Sequence, residues 1–101
     1  MKYNLKNPTL LFFHADWCGH CVRFMPVFDK FAKSINGGKL NIVKFNADKE
    51  QSFVKSFRVQ GFPTIMLHDP KSQRFIDYTG DRSMTDLVKF VNENGNIDIT
   101  I

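Results

Sequence analysis

Residues 15–21 read Ala15-Asp16-Trp17-Cys18-Gly19-His20-Cys21, and this stretch holds both cysteines of a 101-residue chain. Two thiols at that spacing have three chemical uses: a structural clip, part of a metal site, or a redox couple. A clip is a poor use, because closing so short a loop removes little chain entropy and strains the bridge. A zinc site would draw on His14, Cys18, His20 and Cys21. Yet there is no second Cys-x-x-Cys, and His20, inside the pair, is badly placed to bind together with both thiols. The expectation is therefore no metal, and dithiol–disulfide exchange is favoured.

The flanks place the pair on a scaffold. Upstream, Thr9-Leu10-Leu11-Phe12-Phe13-His14 is a continuous apolar run between Pro8 and Asp16, which suits a strand buried on both faces. Downstream, Cys21, Phe24, Met25, Phe28, Phe31, Ala32 and Ile35 recur at helical spacing, and Asn36-Gly37-Gly38 should stop that helix. Pro26 inside it removes a backbone donor and should kink it. Strands are expected at 40–46, 64–68 and 74–79, a short helix at 49–57, and a last helix at 83–94 with Ser83 as N-cap and Gly95 as stop. The first two strands, joined through a helix, should be parallel, and the last two, joined by a tight turn, antiparallel. The expected class is α/β, with a central four-stranded mixed sheet flanked by helices on both faces.

A strand that feeds a helix at Cys18 puts one sulfur at the helix N-terminus, where unpaired N–H groups and the helix dipole favour a thiolate. Cys18 should be the acidic, exposed nucleophile and Cys21 the sheltered thiol that resolves its intermediates. Gly19 lets a substrate backbone come close, and Trp17 offers a flat apolar wall. His20 adds partial positive charge beside the thiolate, which makes the disulfide more oxidising.

Bulk properties narrow the field. Eleven Phe and 43% hydrophobic residues supply one core without staples. The net charge is +4, but the Lys and Arg are scattered, with Lys30, Lys33 and Lys39 the densest group. No aromatic-interleaved basic stripe accompanies them, so nucleic-acid binding is not supported. No apolar run approaches the roughly 18–20 residues that span a bilayer, so no membrane partner is expected. Neither a secretory leader nor a retention signal is visible, which reads as intracellular; an excised or processed domain would instead fit the endoplasmic reticulum lumen.

At these residues the chain resembles the thioredoxin superfamily, in the version found in protein disulfide isomerases. Trp17-Cys18-Gly19-His20-Cys21 resembles the active site, and Pro26 the helix-kinking proline. Lys44-Phe45-Asn46-Ala47-Asp48 is similar to the family's third-strand segment, and Val59-Gln60-Gly61-Phe62-Pro63-Thr64 to the loop whose proline is cis. Tyr78-Thr79-Gly80-Asp81-Arg82 resembles the region that carries a mobile arginine, so the likeness runs in order over residues 9–93.

The resemblance implies a minimal thioredoxin fold, a single domain over 1–101, and thiol–disulfide oxidoreductase activity on protein dithiols and disulfides. It implies that Cys18 forms a mixed disulfide which Cys21 resolves, and that Pro63, in cis, lies against the pair. The Phe62 and Thr64 backbones would then pair with an extended substrate, and Arg82 would swing towards Cys21 and lower its pKa. Nothing beyond the cysteine pair is expected as cofactor. The redox partner would be glutathione, a reductase or a sulfhydryl oxidase. The direction should lean to isomerase or oxidase, since isomerases sit near about −180 mV and thioredoxin near about −270 mV. Rival readings are a general reductant, a metal- or cluster-binding protein, and a redox-slow docking module built around Trp17, Phe62 and Pro63.

Two departures stand out. Family members usually carry a buried acid six residues before the first cysteine, and here that position is Phe12. Lys44, which pairs with that acid in the family, would lack its partner. His14, on the same strand face as Phe12, is the candidate substitute proton acceptor, with Lys44 the second relay candidate. The other departure is length. Only residues 1–8 precede the first strand, so strand 40–46 should be an uncovered edge unless Met1–Leu5 or a partner pairs with it. In the tail, 96–101, Ile97, Ile99 and Ile101 alternate with polar residues. That tail should add to a sheet edge or fray. A monomer is expected, with an edge-strand or tail-mediated dimer as the alternative.

Overall fold

The computed structural model describes residues 6–35 and 38–100. Their elements are β1 (Thr9–His14), α1 (Gly19–Ser34), β2 (Asn41–Asn46), α2 (Gln51–Ser56), β3 (Thr64–Asp69), β4 (Arg74–Asp77) and α3 (Met84–Gly95). The sheet order is β2-β1-β3-β4. β1 runs parallel to β2 and antiparallel to β3, and β3 and β4 form an antiparallel pair.

Central placement explains why β1 is apolar at every turn of the pleat: both of its faces are covered. Leu10 and Phe12 point into one cluster with Ile65 and Leu67 from β3, Phe24, Phe28 and Phe31 from α1, and Leu87 and Val91 from α3. Leu11 and Phe13 point the other way, into a cluster with Phe45 and Met66 that Val54 and Phe57 from the α2 side close. The register keeps each set on its own face, with Leu10 opposite Leu67 and Phe12 opposite Ile65. Phe13 stacks on Phe45 of β2 at 4.9 Å between ring centroids. Helices α1 and α3 thus cover one face and α2 the other, as expected for a minimal thioredoxin fold.

Several boundaries differ from the sequence expectation, for local reasons. The α2 helix is shorter at both ends than 49–57. β4 stops at Asp77, although the Tyr78 N–H still donates to the Ile65 carbonyl at 2.9 Å, and the Tyr78 hydroxyl reaches Asp86 on α3. Gly95 is not the stop of α3 but its last residue, and Asn96 takes the left-handed cap at φ 52°. Gly95 serves instead as a place of close approach, since a Cβ there would lie 3.1 Å from Pro8. Pro26 lies inside α1 as expected. Of the expected stop of α1, Asn36 and Gly37 lie outside the described residues, and the helix ends on Ile35 as cap.

Within this chain, residues 97–100 of the tail neither extend a sheet edge nor fray. The Asn92 amide on α3 accepts the Ile99 N–H at 2.8 Å and donates to the Ile99 carbonyl at 3.0 Å. One side chain therefore satisfies both backbone groups that a strand neighbour would otherwise take, and Ile99 is buried in the core. Lys39 adds a bond to the Asp98 carbonyl at 3.1 Å. Ile101 lies outside the described residues. β2 is a sheet edge as expected; pairing by Met1–Leu5 falls on residues outside the described set.

Candidate functional site

The chain leaves β1 at His14, turns through Ala15–Trp17, and enters α1 with Cys18 as its N-cap at φ −90°, ψ 111°. The cap bond comes from sulfur: Cys18 Sγ accepts the Cys21 N–H at 3.2 Å. A cysteine here does the work usually given to Ser or Asp, so its sulfur sits against an unpaired donor at the positive end of the helix. The first turn of α1 carries no acidic residue to oppose a developing negative charge.

The Cys18 thiol also donates to the Phe62 carbonyl at 3.4 Å. That bond crosses from the helix to the loop before β3, and it corrects the expectation of an exposed nucleophile. The sulfur turns inward, and only 7% of Cys18 meets solvent. Cys21 is more deeply sheltered at 1%. Burial pushes its thiol up to about 11, and its bond with Cys18 pushes the same way; the Ala15 backbone and the Arg82 charge oppose. Both cysteines are present as thiols.

The Phe62–Pro63 peptide is cis. Phe62 packs against the cluster of Ala15, Cys18 and Cys21, which Ala47 also borders, so the loop meets the pair through Phe62. Trp17 is 69% exposed and meets Phe62 edge to face at 5.8 Å, giving the pair an apolar rim. Thr64 begins β3 opposite Phe13, and its hydroxyl donates to the Gly61 carbonyl at 2.6 Å. A groove of about 330 Å³ opens beside Pro63 and Thr64, with Arg58, Gln60 and Asp77 among its walls.

Gly19 opens α1 at the surface, and His20 follows it, also exposed. His20 Nδ1 lies 3.1 Å from Arg23 Nη2. A guanidinium can only donate, so Nδ1 is the acceptor in this contact. Arg23 therefore brings a permanent cation to this rim, which the sequence reading passed over; its spacing of three from His20 on one helix face was the available signal.

Behind the pair, Phe12 is fully buried against Phe24 and Phe28, an apolar wall where the family usually has an acid. Lys44 has no buried acid beside it, as expected with Phe12 there, but it is not left unpaired. It reaches across to Asp29 on α1 at 3.0 Å, with both side chains about 40% exposed. His14 shares Phe12's face, ring centroids 5.2 Å apart. Burial, then the Lys44 cation, lowers its pKa, against Asp16, Asp29 and Glu50. Among the hydrogen bonds of the described residues, none joins His14 to either cysteine.

Arg82 lies in the loop between β4 and α3 with φ 63°, and its charge favours the Cys21 thiolate. Its backbone N–H donates to the Tyr78 hydroxyl at 2.8 Å, and that hydroxyl donates to Asp86 at 2.8 Å. Among the described residues no three of His, Cys, Asp and Glu come together to hold a metal ion, and no helix is long and apolar enough to cross a membrane.

Residues 2–93 match the Thioredoxin family. The chain is 40% identical over 93 residues to Protein disulfide-isomerase erp38 of Neurospora crassa, covering 90% of this chain and 25% of that protein. It is 40% identical over 81 residues to Protein disulfide-isomerase 2-3 of Arabidopsis thaliana, covering 80% of this chain and 18% of that protein. It therefore spans a quarter or less of these curated relatives. Among solved structures, the first thioredoxin domain of mouse Protein disulfide-isomerase A4 superposes with a TM-score of 0.76 at 33% identity, covering 95% of this chain and 69% of that one. A Cys-x-x-Cys helix cap under a cis-proline loop, on this sheet and with this sequence match, makes the chain a member of the thioredoxin family, related to the protein disulfide-isomerases.

Proposed function

We propose that this chain is a thiol–disulfide oxidoreductase that acts on protein dithiols and disulfides through Cys18 and Cys21. The observation that carries the reading is the double role of Cys18 Sγ: it caps α1 through the Cys21 N–H and contacts the Phe62 carbonyl of the proline loop. In the reductive direction, the Cys18 thiolate attacks one sulfur of a substrate disulfide. The new S–S bond forms as the substrate bond breaks, and one substrate thiolate leaves. Cys21 then loses its proton and attacks Cys18 Sγ, which frees the second substrate thiol and leaves a Cys18–Cys21 disulfide. Two electrons pass to the substrate; the reverse sequence oxidises a substrate dithiol.

Trp17 and Phe62 supply the apolar rim, Gly19 leaves the approach open, and the strand start at Pro63–Thr64 offers the backbone edge along which an extended segment aligns. Arg82 stabilises the Cys21 thiolate in the resolving step, when that buried thiol must ionise. His14, neutral at pH 7, is the proton acceptor near the strand end, in place of the acid that Phe12 displaces. Lys44, occupied by Asp29, acts on the site only through its charge on His14. The active-site type leans to isomerase or oxidase. Glutathione, a reductase or a sulfhydryl oxidase would then reset the pair, with no cofactor besides it.

A second reading, a redox-slow docking module, draws support from the same exposed Trp17–Phe62 rim and from Phe12. Insulin reduction separates the two. The wild type is expected to reduce insulin and Cys18→Ser to lose that activity entirely, while Cys21→Ser accumulates a mixed disulfide through Cys18. An inactive wild type whose affinity for an unfolded protein survives Cys18→Ser would favour the docking module instead.

A further inference from the structure

The loop that carries Arg82 is held by a clasp. Tyr78, just past β4, and Asp86, in the first turn of α3, meet through the tyrosine hydroxyl at 2.8 Å. The same oxygen accepts the backbone N–H of Arg82 at 2.8 Å. One hydroxyl thus spends its proton on the helix and its lone pair on the loop. Arg82 needs such a tether: at φ 63° it occupies the left-handed region that side chains other than glycine seldom adopt. Ser83, the N-cap of α3, accepts the Asp86 N–H at 3.1 Å and donates its own N–H to Asp81 at 3.0 Å, fixing the loop on its far side.

Gly80 shows how closely the clasp shuts. A Cβ there would run into the Asp86 carboxylate and lie 2.7 Å from Tyr78 Oη, so a side chain at 80 must displace one of the two. Burial, then the bond to Asp86, raises the Tyr78 pKa, with Asp86 and Asp81 as the charges bearing on it. The hydroxyl therefore keeps the proton it gives to Asp86. The charged and titratable groups that bear most on Cys21 are Cys18, at the mouth of α1, and Arg82, from this loop.

We propose that Tyr78, anchored by Asp86, is a positioning residue that fixes the Arg82 backbone and so sets how strongly the guanidinium charge bears on Cys21. This rests on the reading of Arg82 given above. The test uses the whole chain and follows, by rapid mixing from pH 6 to 10, resolution of the mixed disulfide between Cys18 and glutathione. In that step the Cys21 thiolate attacks Cys18 Sγ and glutathione leaves as the thiol.

Arg82→Gln should move the profile to higher pH. Tyr78→Phe should move it the same way, by half to one unit, which means resolution about three- to tenfold slower at each pH on the rising limb. Tyr78→Phe in an Arg82→Gln background should add nothing. Asp86→Ala should behave like Tyr78→Phe. Asp86→Asn, which keeps an acceptor for the hydroxyl, should restore the wild-type profile and so excludes a direct effect of the Asp86 charge. If Arg82→Gln shifts the profile and Tyr78→Phe does not, or if Tyr78→Phe shifts it equally with and without Arg82, the clasp is structural only and the proposal falls. If Arg82→Gln itself leaves the profile unmoved, the Arg82 reading fails and the clasp proposal fails with it.

Discussion

The β1 strand around Phe12 and the loop between β4 and α3 have opposite chemistry, and only the loop bears on Cys21 through a charge. At the strand end stands Phe12, fully buried among aromatic rings, and the nearby Lys44 is turned outward to Asp29. In the loop, Tyr78, Asp86 and Arg82 form a polar chain whose last member carries the charge that favours the Cys21 thiolate. The difference locates the charge that bears on Cys21 in a loop rather than in the sheet. An acid behind the pair would be part of the sheet; an arginine in a loop is held only by hydrogen bonds, so its influence is adjustable.

The comparison breaks most readily at Phe12. Phe12→Asp buries an unpaired carboxylate among Phe24 and Phe28, and it should destabilise the fold by at least about 3 kcal/mol in chemical denaturation. A variant as stable as the wild type, with faster resolution, would mean that the strand side still accepts the acid. Gly80→Ala comes next. The intruding methyl must displace Asp86 or Tyr78, and about 1–3 kcal/mol of destabilisation is expected, together with the pH shift of Tyr78→Phe. Unchanged stability would show that the clasp is looser than its geometry.

His14→Phe sharpens the strand side. The lowered His14 pKa means that the folded chain binds fewer protons than the unfolded chain around this site. That contribution is whole above the unfolded value near 6.5 and is lost as the pH falls below it. Wild type should therefore lose stability on acidification beneath pH 6.5 more steeply than His14→Phe, by a modest amount because the ring is only partly buried. His14→Phe should also slow mixed-disulfide resolution between pH 6 and 8; identical rate profiles would remove His14 from the proton path. The smallest effect belongs to Lys44→Ala. An exposed pair with Asp29 is worth under about 1 kcal/mol, and insulin reduction should change less than in His14→Phe, through the Lys44 charge on His14 alone.

The fold was legible wherever one face meets one core. The run Thr9–His14 delimits β1, and the spacing of Phe24, Phe28 and Phe31 defines the buried face of α1. Cys18 and Cys21 were legible because the pair falls where a buried strand feeds a helix, whereas the cis Phe62–Pro63 loop was legible only through the resemblance to the disulfide isomerases. What escaped were polar pairings between elements: Lys44 with Asp29, Asn92 with Ile99, Tyr78 with Asp86. Periodicity reports which residues face inward, and it carries no information about which polar groups find each other across a turn. The alternating isoleucines of the tail resembled a strand for that reason, although a single asparagine takes the strand partner's place.

The most direct test equilibrates the chain with graded ratios of reduced and oxidised glutathione and counts Cys18–Cys21 disulfide by mass spectrometry. The expected result is one reversible two-electron couple, with a potential nearer to about −180 mV than to about −270 mV. A pair that remains two thiols at every ratio would contradict the exchange of electrons through Cys18 and Cys21, and a couple at the lower potential would contradict its oxidising direction.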